Sequence, residues 1–512
     1  MVQLKKAFKT FTNILIIASF ILQVYIHTYP SLTPDVCSWD NKEETKLSNK
    51  YKDIFKVNYP PENQILHLLK LDTWKTYFKD VLLTKKDNSH NKYINPRFLL
   101  FGDPQIKGAW RKTPLLTRLD IFGNDHYLGH IFKTMFKRLT PDFGIVMGDL
   151  FSSQWIPDDE FYNRTERYIN RVFPGAIPSS LERVRDLKKK FVNPDDGINY
   201  KTDWITFSDG KIRTLRKEEG FPPFKFDYGS DVYKWNENDP FLFINMTGNH
   251  DIGYSGDMTF QHLSRFTDMF GADNFVLHYN EGRGNSYRIV NLNTMLLEGP
   301  GLENVLMDIT WEFLYQLFEE QFDGTTILLQ HIPMFKEKGF CKDGPHFSFY
   351  PEVYEKEPYK SNLLKSQNHL SLETSNKLLN LLFHNGKPGI ILTGHDHYGC
   401  DVVYNRYMTK MKDHPNGLAE SYWTASKTPD SKNENSEFTG DIVKEITVRS
   451  MMGDFAGAVG LLEMNYNKDY ETFDFNYKEC VFAVQHIWWA ANIVTICLLY
   501  TSPSPRDMRR SR

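Results

Sequence analysis

Five short segments of this 512-residue chain place side chains that can bind metal ions directly after apolar, β-prone runs. They are GDPQ (102–105), GDLF (148–151), GNHD (248–251), HIP (331–333) and TGHDH (393–397). Carboxylate, amide and imidazole groups are all ligands of divalent metal ions. An apolar run followed by such groups is typical of a buried strand that leads into a loop with functional side chains. The segments therefore predict one metal site built from five strand ends.

Each segment by itself also has an ordinary explanation. Asp103 fits a simple β-turn, and a lone histidine such as His331 is more often structural than a ligand. His395 and His397 are more specific, because two histidines at alternate positions after a glycine can direct both imidazoles to metal from one tight loop. The evidence for a metal site is the ordered set of five segments.

Hydrophobic periodicity predicts the elements that position these segments. Strands are predicted at 98–101, 143–147, 241–246, 326–330 and 389–392, each ending at one segment. Helices are predicted at 126–138 and 258–270, and further β-prone runs at 286–292, 294–297, 445–450, 460–466 and 472–477. This pattern indicates an open α/β fold with its site at the carboxyl edges of the sheets.

The composition narrows the class of protein. With 41% hydrophobic and 15% aromatic residues, the chain can bury a large core and is expected to fold. Its formal net charge of -3 provides no basic field, which argues against a nucleic-acid partner.

The N-terminus has the pattern of a membrane signal anchor. Lysines at positions 5, 6 and 9 precede an apolar run at 11–26, which is interrupted by a few polar residues, among them Ser19 and Gln23. No A-x-A-like cleavage site follows, which favours an uncleaved anchor. Lysines ahead of a span keep that end in the cytosol, so the rest of the chain is predicted to lie in a lumen or outside the cell.

A second apolar stretch, 481–500, is predicted to form a C-terminal transmembrane helix. Its length fits a span, and four arginines follow it. The alternative is an amphipathic helix that packs on the domain or lies on the bilayer surface. Two spans with basic outer ends would place both termini in the cytosol and the domain between them in the lumen.

These segments divide the chain into five parts. They are a cytosolic tip with the anchor (1–30), a lumenal lead-in (31–96), a metal-binding domain (97–478), a C-terminal transmembrane helix (479–500) and a basic tail (501–512). The domain contains an insertion near 152–240 that is rich in charge, aromatic residues and proline. The insertion is expected to be a charged helix with loops, and a lid or substrate-docking element is the alternative.

Cysteines and sequons bear on the compartment. The five cysteines are odd in number and lack C-x-x-C spacing, so neither a disulfide scaffold nor a zinc knuckle is indicated, while one bridge between Cys341 and Cys400 is compatible. The sequon at Asn163 lies in a polar stretch, and Asn163 is predicted to be glycosylated. The sequon at Asn245 lies inside an apolar run, so Asn245 is predicted to be buried and unmodified.

Taken in order, the five segments resemble the signature of the calcineurin-like metallophosphoesterase superfamily, from Asp103 to His397. The resemblance implies an α/β fold in which a two-sheet β-sandwich is flanked by helices and holds two divalent metal ions. Two close cations need a bridging anion, and Asp149 is the predicted bridge. By similarity, the remaining ligands are Asp103 and His397 for one ion, and Asn249, His331 and His395 for the other.

The same resemblance suggests roles for three more residues. His250 would act near the leaving oxygen as a general acid or charge stabiliser, with Asp251 as its orienting partner. Gln105 stands where many superfamily members have a histidine. Its amide oxygen would be a weaker ligand, which leaves the identity and occupancy of that metal open.

GDPQ, the longer stretch GDLFSSQW and the two predicted spans look like the fungal branch of ethanolamine-phosphate phosphodiesterases, over residues 97–465. This branch implies hydrolysis of the phosphodiester that links ethanolamine to a mannose of glycosylphosphatidylinositol (GPI) anchors. It also implies a location at the endoplasmic reticulum membrane with a lumenal catalytic domain, in support of export to the Golgi. Manganese is the implied metal, with zinc or iron as alternatives. The implied partners are GPI-anchored proteins or their glycolipid, the membrane and cargo-export receptors.

Two other functions fit the same residues. One is a phosphoesterase that acts on phosphoproteins, nucleotides or free lipids; only the membrane anchorage favours a membrane-bound substrate over these. The other is a non-catalytic scaffold that uses the fold to bind cargo. A scaffold has no need to keep every ligand, and here only Gln105 departs from the pattern.

Overall fold

The structure is a computed structural model that describes residues 2–39, 54–60, 70–83, 94–109, 113–176, 241–280, 283–409, 421–427, 436–482 and 485–501. Most of the predicted insertion, part of the lead-in and nearly all of the basic tail lie outside the described residues. The architecture below therefore concerns the two terminal helices and the domain that carries the five segments.

The α-helices of these ranges are, in chain order, α1 (Val2–Thr28), α2 (Pro34–Cys37), α3 (Leu71–Leu83), α4 (Leu115–Leu139), α5 (Asp158–Arg167), α6 (Asn249–Ile252), α7 (Phe260–Phe270), α8 (Asn304–Glu319), α9 (Leu372–Leu382) and α10 (Gln485–Thr501). Shorter helical turns are Tyr29–Leu32, the π-helical Tyr168–Val172, Thr294–Leu296, Pro358–Lys360 and Gly453–Phe455.

The strands are β1 (Phe55–Asn58), β2 (Arg97–Phe101), β3 (Phe143–Val146), β4 (Leu242–Asn245), β5 (Phe275–Tyr279), β6 (Tyr287–Leu292), β7 (Thr325–Gln330), β8 (Phe347–Phe349), β9 (Leu364–Gln367), β10 (Gly389–Thr393), β11 (Cys400–Thr409), β12 (Ser421–Ser426), β13 (Ser436–Thr447), β14 (Ala458–Asn467) and β15 (Thr472–Val481). A six-stranded sheet has the order β1-β15-β14-β2-β3-β4, and a seven-stranded sheet has the order β12-β11-β13-β10-β7-β6-β5. β8 and β9 form a separate pair.

Parallel pairing within each large sheet brings the predicted segments together. β2, β3 and β4 are parallel neighbours, and so are β6, β7 and β10. Parallel strands share a carboxyl edge, and side chains for a site gather there. GDPQ, GDLF and GNHD follow β2, β3 and β4, while HIP and TGHDH lie at the ends of β7 and β10.

The buried strands explain why these loops are held firmly. β2 is buried along its whole length, as expected for a continuous apolar run with both faces covered. Phe98 and Leu100 belong to a core cluster that also contains Ile289 and Ile327 of the other large sheet. The alternate residue Phe101 packs against Phe132 of α4, with ring centroids 5.7 Å apart. The predicted mixed α/β architecture is therefore confirmed.

Two predicted elements need correction. The run 294–297 is a helical turn, Thr294–Leu296, instead of a strand, because the Asn293 side chain caps it by accepting a hydrogen bond from the Met295 N–H at 3.2 Å. The helix predicted at 126–138 begins earlier, at Leu115. The added residues do carry apolar side chains at helical spacing, at Leu115, Leu119 and Phe122, which the predicted bounds left out.

The C-terminal helix also starts later than predicted for 479–500. β15 pairs with β14 as far as Val481, so the first residues of the expected span belong to the sheet and α10 begins at Gln485. Within the described ranges, the segment Lys9–Leu32 is the one helix long and apolar enough to cross a membrane, by length and composition. The apolar part of α10 is shorter.

α1 and α10 pack against each other through polar contacts. The Ser19 and Thr495 hydroxyl oxygens lie 2.8 Å apart, and the Gln23 amide donates to Thr495 Oγ1 at 3.0 Å and to the Ala491 carbonyl oxygen at 3.3 Å. These pairs account for Ser19 and Gln23 inside the apolar run of α1, because hydrogen bonds between helices satisfy both side chains.

The disulfides are more extensive than predicted. Cys341 bonds to Cys400, as the compatible pairing allowed. Cys37 bonds to Cys480, 443 residues away, which is a second bridge that was not predicted. A pair so distant along the chain cannot be found from spacing. Asn245 is buried, as predicted, and accepts a hydrogen bond from the Tyr168 hydroxyl.

Candidate metal centre

Short hydrogen bonds join the loop after β10 to the loop after β2, and the loop after β7 to the end of β3. The His395 N–H donates to Asp103 Oδ2 at 3.0 Å. His331 Nδ1 lies 2.7 Å from the Met147 carbonyl oxygen at the end of β3. These contacts connect loops of both large sheets, so the predicted segments do form one cluster.

Asp103, Asp149 and His331 lie at the centre of the cluster. Each offers a ligand atom, and the three atoms lie within 4.8 Å of one another. All three side chains are buried. His331 Nε2 lies 3.4 Å from Asp149 Oδ1 and 3.1 Å from Asn249 Oδ1, which places Asn249 on the same side of the centre.

The opposite side of the centre is formed by His397 and Gln105. His397 Nε2 lies 3.5 Å from Asp103 Oδ2. The terminal amide nitrogen of Gln105 lies 3.0 Å from Asp149 Oδ2 and 3.2 Å from His397 Nε2. Gln105 thus lies at the corner where the resemblance implies a ligand of the first metal ion.

Backbone carbonyl groups orient two of the histidines. Since His331 Nδ1 contacts the Met147 carbonyl, its Nε2 faces the centre. His395 Nε2 lies 3.1 Å from the Gln367 carbonyl oxygen, which leaves Nδ1 as the nitrogen for a ligand bond. Such outer contacts fix the tautomer and ring orientation of metal-binding histidines. Gln367 was not predicted, because it lies on β9, far along the chain from every segment.

Four site residues adopt a backbone conformation that is unusual for residues other than glycine. Their φ angles are 30° at Asp103, 40° at Gln105, 51° at Asp149 and 74° at His395. Left-handed conformations at non-glycine residues cost of order 1–3 kcal/mol each and cluster at functional sites. The surrounding sheets must therefore hold these loops in place.

Glycines allow the loops to approach the centre closely. A Cβ at Gly248 would lie 2.2 Å from Asp149 Oδ1, and a Cβ at Gly394 would lie 2.8 Å from Asp103 Oδ1. Gly148 has a φ of 92°, and a Cβ there would lie 2.5 Å from His331 Nδ1. Any side chain at these positions would displace a predicted ligand.

The electrostatics of the two carboxylates favour a bound cation. Burial and the charge of Asp149 raise the pKa of Asp103 well above its usual value. Burial would also raise the pKa of Asp149, but His331 and His250 outweigh it and lower that pKa. Asp103 Oδ1 is buried without a hydrogen-bond partner in the described part of the chain. An orphaned carboxylate oxygen beside a second carboxylate is a costly arrangement that a divalent ion relieves, so these residues fit a metal.

Burial keeps the predicted histidine ligands neutral. It lowers the pKa of His395 to about 3 and also lowers the pKa of His331 and of His397. A neutral imidazole is the form that binds metal ions.

His250 lies at the rim of the cluster, unlike the predicted ligands. Its side chain is 38% exposed, and Nε2 lies 3.8 Å from Asp149 Oδ2. Its backbone N–H donates to Asp149 Oδ1 at 2.8 Å. The ring is therefore close to the centre and open to a molecule that enters from solvent.

Asp251 has a different environment from the one expected of an orienting partner. Its Oδ1 accepts from the Phe151 N–H at 3.1 Å, and its Oδ2 accepts from the Gly248 N–H at 2.9 Å. Among the described residues, no hydrogen bond joins its carboxylate to the His250 ring. Asp251 instead ties the loop after β3 to the loop after β4.

Two further residues support the His395–His397 loop and were not predicted. Asp396 Oδ2 accepts from the Asp343 N–H at 3.2 Å, which links this loop to the chain beside the Cys341–Cys400 disulfide. Phe455 packs edge-on against the His397 ring, with centroids 4.9 Å apart. Asp396 lies inside the segment TGHDH, but no role was predicted for it. Phe455 carries no sequence signal, because it reaches the site only through the folding of a distant turn.

The buried centre fits a metallophosphoesterase-like protein, and comparisons with curated proteins support this class. Metallophosphoesterase 1 of Xenopus laevis is 32% identical over 185 residues, which cover 31% of this chain and 42% of that protein. Metallophosphoesterase 1 of Rattus norvegicus is 27% identical over 177 residues, which cover 31% and 40%.

More particularly, the chain belongs to the family of Protein TED1 from Saccharomyces cerevisiae. The two are 42% identical over 511 residues, which cover 97% of this chain and 98% of Protein TED1. No family model matches the chain. A solved Plasmodium structure described as GAP50, the anchor in the inner membrane complex, is 13% identical, covers 76% of this chain and 87% of its own, and has a TM-score of 0.28.

Proposed function

We propose that this protein is a dinuclear-metal phosphodiesterase that removes ethanolamine phosphate from a mannose of GPI anchors. The observation that carries the proposal is the buried group of Asp103, Asp149 and His331 at the ends of parallel strands. Similarity to Protein TED1 and to metallophosphoesterase 1 supports it. The fold would be the two-sheet β-sandwich of that superfamily, in line with the core cluster that includes side chains of both large sheets.

Asp149 is the proposed bridge because its two oxygens face opposite corners of the centre. Oδ1 lies near His331 and Oδ2 lies near Gln105. One ion would be held by Asn249, His331 and His395, the other by Asp103, His397 and, more weakly, Gln105. Mixed oxygen and nitrogen donors suit manganese, with zinc or iron as alternatives.

Metal ions bound here would supply Lewis acidity and neutralise charge on the phosphate. The chain itself would orient the substrate and control a proton. His250 Nε2, half-exposed and beside Asp149, would donate a proton to the departing oxygen or stabilise its charge. Asp251 would support this step indirectly, by holding the loop that carries His250.

We also propose that the domain lies in the lumen of the endoplasmic reticulum, anchored by α1 and by its partner helix α10. Two disulfides are typical of an oxidising compartment, which favours the lumen over the cytosol. The polar contacts between α1 and α10 support a paired anchor. In this setting the partners would be GPI-anchored proteins or their glycolipid, and cargo-export receptors.

The test is metal analysis of the purified full-length protein together with an assay on a defined GPI glycan that carries ethanolamine phosphate. We expect two divalent ions per chain and release of ethanolamine phosphate, lost on chelation and restored by manganese. Asp149→Asn is the matched inactive control.

Two other results would each redirect the assignment. Hydrolysis of bis(p-nitrophenyl) phosphate without action on the GPI glycan would indicate a phosphoesterase with another substrate. Bound metal with no hydrolysis of either compound would indicate the cargo-binding scaffold.

A further inference from the structure

Two helices of the domain expose large apolar side chains on surfaces that the described residues leave uncovered. On α3 these are Leu71, Trp74, Phe78 and Val81, with exposed fractions of 40–71%. Their spacing of three or four residues places them along one stripe of the helix. The adjoining face of α3 is buried through Thr73 and Tyr77, and the Tyr77 ring contacts the rings of Trp74 and Phe78.

The beginning of α4 has the same property. Leu115, Leu116, Leu119 and Phe122 are 50–79% exposed, and every residue from 115 to 120 is exposed. Clusters of exposed large apolar side chains often mark interaction sites on proteins. These two surfaces, the α3 stripe and the α4 start, are called the apolar flanks below.

Both apolar flanks adjoin the terminal helices. The Tyr77 hydroxyl on the buried side of α3 bonds to the Thr28 hydroxyl at the end of α1. At the other flank, the Trp489 ring of α10 lies directly on Gly123, where a Cβ would come within 1.6 Å of it. A further contact links α1 to α4, because His130 Nε2 lies 2.9 Å from the Ile26 carbonyl oxygen.

The outer faces of the terminal helices continue the apolar surface. Exposed large side chains on these helices are Phe11, Ile14, Ile16, Ile17, Phe20, Ile21 and Val24 of α1, and Ile493, Ile496 and Leu499 of α10. The flanks thus lie beside the ends of α1 and α10 that meet the domain. A protein partner would have to cover α3 and the start of α4 separately, beside the pair of α1 and α10. A lipid surface would contact both flanks at once.

We propose that the apolar flanks rest in the lumenal surface of the bilayer, beside the membrane-embedded pair of α1 and α10. This inference rests on the membrane anchoring in the proposed function. Amphipathic helices bury an apolar face about 5–10 Å into the boundary between headgroups and acyl chains. The side chains of Trp74 and Lys75 suit that boundary, where aromatic rings and lysine stems are favoured. The flanks would hold the domain in one orientation close to a lipid-borne substrate.

The test uses an environment-sensitive fluorophore on single cysteines of the full-length protein in lipid nanodiscs. Cys497 is first replaced by alanine, and the fluorophore is attached at Phe78→Cys, Leu116→Cys, Phe20→Cys or Tyr470→Cys. All four side chains are exposed. Phe20 is the anchor control. Tyr470 is the aqueous control, because β15 separates it from Val481 by ten residues, or about 33 Å.

We expect the probes at Phe78 and Leu116 to show blue-shifted emission and to lose intensity as doxyl-labelled lipid is added, as at Phe20. The probe at Tyr470 should keep its emission. Quenching at Phe20 without quenching at Phe78 and Leu116 would overturn the inference while leaving the anchor intact. Emission shifts that depend on the number of protein molecules per nanodisc, and that do not change with doxyl-labelled lipid, would indicate a protein partner. This result would also overturn the inference.

Failure of the proposed function has a different signature. No quenching at Phe20 would mean that the anchor itself is absent, and the inference would fall with it. Absence of phosphodiester hydrolysis would leave the quenching result unchanged, since the probes report contact with lipid and require no turnover.

Discussion

At the scale of single residues, the two oxygens of Asp149 face different corners of the metal centre. Asp149→Asn keeps the shape of this side chain and removes the charge that offsets repulsion between two close cations. We expect metal content to fall from about two ions per chain towards one, activity to collapse and the fold to persist. Elemental analysis and a kcat measurement on the same preparation check this.

Asp103→Asn is the matched comparison for Asp149→Asn. Asp103 contacts the His397 side of the centre. Asp103→Asn should therefore weaken the binding of one metal ion and reduce activity less than Asp149→Asn does. If the Asp149 variant keeps both ions, then another group bridges them.

Substitutions at His250 and His331 should distinguish a role in catalysis from a role in metal binding. His250 is half-exposed at the rim, whereas His331 is buried at the centre. We expect His250→Asn to keep both ions and to slow turnover by about 10²–10⁴-fold, as for loss of a general acid. His331→Asn should lose metal.

An activated substrate distinguishes the two histidine variants further. A p-nitrophenyl diester needs little protonation of its leaving group, so the His250 variant should recover much of its rate on it, and the His331 variant should not. Equal losses on both substrates, or metal loss from the His250 variant, would give His250 a ligand or structural role.

At the scale of elements, the disulfide Cys37–Cys480 connects the segment after α1 to the strand that leads into α10. Replacing both cysteines by alanine should lower the free energy of unfolding by about 2–4 kcal/mol, since the bridge closes a very long loop in the unfolded chain. Thermal unfolding of the protein in detergent is the measurement.

The Cys341–Cys400 pair is the matched control for that measurement. It spans 59 residues instead of 443. The entropy model predicts a smaller effect for the shorter loop. A larger loss on removing Cys341 and Cys400 would show that local support of the His395–His397 loop outweighs the entropy of loop closure.

At the scale of the whole molecule, the orientation of the chain in the membrane can be tested at Asn163. This residue lies half-buried on α5, and Thr165 of its sequon is fully buried. If the domain is lumenal, as the basic outer ends predict, the sequon can be modified during synthesis. Endoglycosidase should then shift the band of the full-length protein, and Asn163→Gln should remove the shift.

A second acceptor makes the topology test independent of the burial of Asn163. Asp469→Thr creates a sequon at Asn467, the last residue of β14, and the side chains that follow it in the turn are exposed. It should add one more glycan. Two results together would contradict the lumenal placement. Neither Asn163 nor Asn467 would carry a glycan, and protease added outside sealed microsomes would digest the domain.

Local pattern was enough to predict the five strands that lead into the metal-binding segments. An apolar run such as 98–101 has few alternatives to a buried strand, and parallel strands then bring their following loops to one edge. The placement of Asp103, Asp149, Asn249, His331, His395 and His397 in one cluster therefore followed from sequence order and from the resemblance.

Tertiary contacts decided the features that depend on distant partners. The backbone bonds of Asp251 to Phe151 and Gly248 could not be foreseen, because a carboxylate beside a histidine looks the same whichever group it meets. The contact of Gln105 with His397 also depends on tertiary packing, because the two residues belong to loops of different sheets. The sequence determined which side chains are available and on which element each lies. Packing between elements decided which of their atoms are in contact. The reason is that contact energies depend on distances that local periodicity does not encode.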